Sequence, residues 1–88
     1  MNTSTQVVTL LQQAINYTGQ ASQTLDNLIV EHEYQDVASL ITAAASALLE
    51  SATYLMQSQD EPAWDAVERA EDLLDAVYAI IDGETDED

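Results

Sequence analysis

Six regularly spaced carboxylates are the residues of this chain best suited to chemistry: Asp65, Glu68, Glu71, Asp72, Asp75 and Asp82, within the closing segment WDAVERAEDLLDAVYAIIDGETDED. Carboxylates grouped in this way serve three kinds of chemistry. Paired acids perform general acid–base catalysis when one of them is desolvated enough to keep its proton. Oxygen ligands at fixed intervals hold calcium or magnesium. A row of anions can also meet a row of cations on another macromolecule.

The first two find little support. Apolar and acidic positions alternate so that the carboxylates fall on the wet side of a helix, where nothing desolvates one of them. The single histidine, His32, lies in the turn HEYQD, and no nucleophile, base and orienting group can be assembled around it. The tail DGETDED begins like a calcium loop, but its glycine stands second instead of sixth and no twelfth ligand follows. With no cysteine, the chain has neither a disulfide framework nor a thiolate zinc site. No catalytic residue, metal site or cofactor is expected, and the chain is read as a protein other than an enzyme.

The third kind fits the charge. Seventeen acids against one Lys or Arg give a net charge of −16. Twelve of the acids fall between Asp60 and Asp88, where Arg69 is the only base. Phosphate backbones and anionic lipid surfaces repel such a chain, so nucleic acid and membrane are not expected as direct partners. A basic protein surface is attracted instead, with a strength that falls as salt rises.

These acids need a scaffold to hold them. At 47% apolar residues, 88 residues are rich enough in hydrophobic side chains to fold, as one small domain whose stability depends on good packing or on association. Val7, Leu11, Ala14, Thr18, Ala21, Leu25 and Leu28 recur at steps of four and three, predicting a helix over about 4–31, with Thr3 and Gln6 as a capping box. Gly19 lies off this seam and offers a place for a break, which would make four helices. Val37, Leu40, Ile41, Ala44, Leu48, Ala52 and Leu55 predict a second helix over 35–57. It is apolar nearly all round except for a narrow, mostly polar stripe through Asp36, Ser39, Ala43, Ser46, Glu50, Thr53 and Gln57, which places it at the centre of the bundle. A third helix is expected over 61–82, with Asp60 as N-cap, Pro62 in the first turn and Gly83 as C-terminal cap. The fold class is an all-α three-helix bundle occupying residues 1–83, followed by an acidic disordered tail over 84–88. Neither a secretory signal nor an apolar stretch of roughly 20 residues is read in the sequence, so a cytoplasmic protein is expected, in a host cell's cytoplasm if phage-encoded.

On the third helix the predicted seam is Ala63, Val67, Ala70, Leu74, Val77 and Ile81, and the acids lie roughly 150° away from it. Trp64 and Tyr78 fall on the boundary between the two. Leu73 and Ile80 widen the apolar arc on the other side and are candidates for a homodimer contact. Asp60, Glu61 and Asp65 complement the positive end of the helix dipole. Farther along, Asp65 with Glu68, Glu68 with Asp72, Asp72 with Asp75 and Glu71 with Asp75 repel one another, at a cost of about 1–2 kcal/mol in all. Arg69 is expected to offset part of this through Asp65 and Asp72.

Such a cost suggests a use. Stripe carboxylates about 5 Å apart along a rigid axis approximate the phosphate spacing of a nucleic-acid strand. The expected function is that of a small acidic binding protein which occludes a basic nucleic-acid-binding surface of a partner, in the manner of phage DNA-mimic inhibitors of restriction or CRISPR systems. Its contacts would be Asp65, Glu68, Glu71, Asp72, Asp75 and Asp82, with Trp64 and Tyr78 as aromatic anchors. The alternatives are a structural or assembly module acting through its apolar faces, as a homodimer or adaptor, and a halophilic protein of unrelated role.

Overall fold

The computed structural model describes residues 3–85, the side chains of residues 84 and 85 excepted. It contains three helices, α1 (Ser4–Asp26), α2 (Gln35–Met56) and α3 (Asp60–Thr85), and no strand among the described residues. α2 packs against both α1 and α3, which do not pack against each other, so α2 is the central element its all-round apolarity predicts. The Cα radius of gyration, 15.4 Å, exceeds the about 12 Å of a compact chain of this length. Three helices laid side by side account for the difference.

α1 begins at the predicted capping box. The Gln6 amide donates to the Thr3 hydroxyl oxygen and the Thr3 amide to the Gln6 side-chain carbonyl. The helix passes through Gly19 unbroken, so there are three helices and not four. It stops at Asp26, short of Glu31, because side chains take over its last carbonyls. Asn27 Nδ2 donates to the Gln23 carbonyl at 2.8 Å, and Gln35 Nε2 donates to that of Leu25 at 2.6 Å. Ser39 Oγ donates to Asp26 Oδ1 and ties the start of α2 to the same end. Leu28, predicted in the α1 seam, therefore lies in the connecting loop.

Between α2 and α3 the chain turns through a Schellman motif: the Ser58 amide donates to the Leu55 carbonyl and the Gln59 amide to that of Tyr54. Ser58 carries the required positive φ, 60°. The first helical bond of α3 runs from the Ala63 amide to the Gln59 carbonyl, so Gln59 holds the position predicted for Asp60, which begins the helix itself. α3 also continues through Gly83 to Thr85, and Gly83 has no positive φ; it is not a C-cap, and the backbone of residues 84 and 85 is helical where a disordered tail was expected. Residues 86–88 of that tail lie outside the described residues.

Small side chains fill the interior. Ala44 and Ala47 of α2 meet Ala70 of α3, with Leu73 and Leu74 packed against them; Ala63, Ala66 and Val77 are buried along the same helix. Among the described residues no large side chain is fully buried, and α1 has no buried residue. Ser51 Oγ, buried in this seam, donates to the Ala63 carbonyl at 2.9 Å. Compared with the predicted seam, the buried line of α3 is rotated toward Ala66 and Leu73, which leaves Val67 and Leu74 half-buried and Ile81 exposed. Leu73 and Ile80, the residues expected at a dimer contact, are both half-buried, Leu73 packed against the core cluster. α2 is also long and apolar enough to cross a membrane by length and composition alone, contrary to the sequence reading. Its apolar surface is more than its two neighbours cover.

Candidate acidic interface on the third helix

α3 packs on α2 alone, and its acids lie on the side away from that contact, at the edge of the helix layer. With Ala63, Ala66, Ala70 and Val77 turned toward α2, Asp65, Glu68, Asp72 and Asp75 lie about 120–180° away at 100° per residue. All four are exposed, as are Glu61, Glu71 and Asp82. Alanine at the α2 contact and carboxylate at the opposite position recur on the same helical period, so the packing that fixes the helix also fixes the row of anions.

Arg69 does not compensate this row. Its Nη2 donates to Glu50 Oε2 on α2 at 2.6 Å, in place of the predicted contacts with Asp65 and Asp72. The chain's one basic residue (Lys and Arg together) thus neutralises an acid of another helix. Among the described residues, no basic side chain pairs with Asp65, Glu68, Asp72 or Asp75.

Trp64 and Tyr78 flank the edge on one side. They are 64% and 61% exposed, far more than aromatic residues at the rim of a core require. Between them stands Glu71, two turns from each, turned more toward the aromatic side than the other acids. Beside Trp64 the surface dips into a shallow apolar depression of about 360 Å³ walled by Ser51, Leu55, Ala63 and Val67. The predicted contact residues therefore divide into an outer acidic line (Asp65, Glu68, Asp72, Asp75) and an inner line of Trp64, Glu71 and Tyr78 that borders apolar surface. Asp82 continues the acids toward the C-terminal end of the helix.

Among the described residues, no three of His, Asp and Glu are placed to share a metal ion. His32 is exposed in the first loop, where its Nδ1 accepts from the Tyr34 amide and its ring lies 5.7 Å from that of Tyr34.

The sequence reading missed the apolar surface bordering Trp64 and Tyr78. Ile41, Leu48 and Leu55 on α2 are all exposed, at seven-residue intervals, with Ala45 and Ala52 between them. That spacing, a coiled-coil seam, was present in the sequence, where it merged with the buried face of a helix apolar nearly all round.

No family model, curated protein or solved structure matches this chain.

Proposed function

We propose that this protein is a binding protein whose acidic α3 edge occupies a basic surface on a partner protein, with Trp64 and Tyr78 as anchors beside the charge. The observation that carries this reading is that two exposed aromatic rings lie along an uncompensated row of carboxylates on one rigid helix. Charge steers the partner inward and aligns it; desolvated aromatic contacts supply affinity that exposed ion pairs do not. Because the helix is ordered before binding, the anions lose little conformational entropy on association. A surface evolved to hold phosphates is the basic surface such a row fits best, so the narrower form of the proposal is occlusion of a nucleic-acid-binding site, as in DNA-mimic inhibitors of restriction or CRISPR systems. No catalysis is assigned to the chain.

The test is capture from a nuclease-treated host lysate, at low salt, with the wild-type protein and the Glu68→Lys/Asp72→Lys double variant as baits. The expected result is a basic partner held by the wild type, released by salt and lost by the variant. A partner retained equally by both baits shows that the acidic edge is not the contact.

A second reading, the assembly module, is favoured by the exposed Ile41, Leu48 and Leu55. Lys substitutions at Glu68 and Asp72 leave that surface untouched, so the same pair of baits separates the two readings.

A further inference from the structure

One side of the helix layer carries mainly small and polar residues: Thr18, Gly19 and Ser22 of α1 line a groove with Ser46 and Glu50 of α2 and Arg69 of α3, and Leu73, Ala43 and Ala47 line it with them. At 100° per residue, Leu10 and Tyr17 lie about 160–180° around α1 from Gly19, and Val67 and Tyr78 about 160–180° around α3 from Arg69. On α2, Ile41 and Leu48 lie about 160° from Ala43 and Glu50. The other side of the layer is therefore a broad apolar face, crossed by Leu10 and Tyr17, by Ile41, Leu48 and Leu55, and by Val67 and Tyr78. Tyr17 is 70% exposed and Leu48 48%.

We infer that this face is covered by a second copy of the chain, packed α1 and α2 against α1 and α2 about a two-fold axis. Four observations select this occupant. The interior of one copy is alanine-lined and holds no fully buried large side chain among the described residues, while thirteen large hydrophobic side chains are exposed, so a single chain forgoes burial that a small domain needs for stability. The α1 and α2 part of the face is uncharged: the first acid in the sequence is Asp26, and Asp36 and Glu50 project on other sides of α2. Two chains of net charge −16 can meet there while their α3 edges point outward, separated by more than the roughly 8 Å screening length of physiological salt. Size is sufficient as well: the molecule measures 52 × 28 × 20 Å, and covering about half to two-thirds of its broad side reaches the about 800 Å² per partner of a standard interface. Seven-residue spacing of Ile41, Leu48 and Leu55 gives the central helix the seam by which a helix packs on its own copy. The dimer presents two acidic edges, one on each flank.

Light scattering from low micromolar to submillimolar protein tests the inference, with Leu48→Glu as the disrupting variant and Glu68→Lys/Asp72→Lys as the control. The expected mass is twice the 9.6 kDa of one chain, in physiological and in about 1 M salt alike, since the contact is apolar. Leu48→Glu weakens association by at least about tenfold, and the control leaves it unchanged. Should Leu48→Glu fail to fold, Leu48→Cys replaces it and supplies the only thiol in the chain, expected to resist alkylation in concentrated protein while Asp72→Cys reacts at every concentration. A wild type of 9.6 kDa throughout, a dimer indifferent to Leu48→Glu, a Leu48→Cys thiol that is alkylated at every concentration, or a single chain that instead binds neutral phosphatidylcholine vesicles overturns the inference. Because the control variant removes the acidic contact and spares the apolar face, failure here is distinct from failure of the partner-binding proposal.

Discussion

Arg69 Nη2 on α3 stands 2.6 Å from Glu50 Oε2 on α2, so the chain's only basic side chain besides its histidine joins two helices and leaves its own acidic edge uncompensated. The Arg69 side chain is 56% exposed and that of Glu50 36%, and an ion pair as wet as this contributes about 0–1 kcal/mol. Arg69→Gln is therefore expected to lower the unfolding free energy by less than about 1 kcal/mol. A double-mutant cycle with Glu50→Gln, read by urea denaturation, should return a coupling that shrinks in molar salt. A coupling of several kcal/mol that ignores salt belongs to a buried pair and contradicts this geometry.

Ser58 occupies a position that favours glycine. Its φ of 60° places an L side chain in the left-handed region, and the two Schellman hydrogen bonds that close α2 depend on that conformation. Ser58→Gly removes the Cβ strain at some cost in unfolded-state entropy, for an expected net gain of about 0.5–1 kcal/mol. Ser58→Val, β-branched, should lose at least as much. Thermal melts of the two variants check the opposite signs.

The α2–α3 contact depends on side chains no larger than alanine at its centre. Ala70 is 1% exposed against Ala44 and Ala47, so Ala70→Leu pushes the two helices apart and is expected to cost about 1–3 kcal/mol or more. Ala79, exposed on the same helix, tolerates leucine within about 0.5 kcal/mol. Equal losses at the two sites would mean that α3 does not sit on α2 as described.

Much of this was legible in the sequence, for identifiable reasons. Three helices, the Thr3–Gln6 capping box and the central place of α2 follow from periodicity and capping chemistry, which are local. Loop ends were less legible because their decisive bonds are tertiary: Gln35 reaches back ten residues to the Leu25 carbonyl, and the Schellman position is filled by serine instead of glycine. Arg69 had acids at three and four residues' distance on its own helix, yet Glu50 on α2 takes it. The rotation of α3 was hidden because an alanine-rich helix has two adjoining small-residue seams, through Ala63, Ala66 and Ala70 or through Ala63, Val67 and Ala70. Choosing the first leaves Val67 and Leu74 half-buried and carries Trp64 and Tyr78 to the edge of the apolar face. The residue types of the acidic row were plain in the sequence; its apolar neighbours were not.

The acidic edge should cost stability, and the cost should be measurable. Replacing Glu68 by Gln and Asp72 by Asn removes four repulsive contacts, Asp65–Glu68, Glu68–Glu71, Glu68–Asp72 and Asp72–Asp75, each opposing helix formation by about 0.2–0.5 kcal/mol. The double variant is expected to unfold about 0.8–2 kcal/mol harder than the wild type at low salt, a difference that narrows as salt screens the same repulsions. Denaturation curves at low and molar salt provide the check. If the wild type instead gains many times this amount in molar salt, acid on every helix is being screened and the chain behaves as a halophile's protein, which removes the reason to seek a partner for this edge in particular. A modest gain that neutralisation of two residues reproduces locates the burden on α3, where a partner's cations would relieve it.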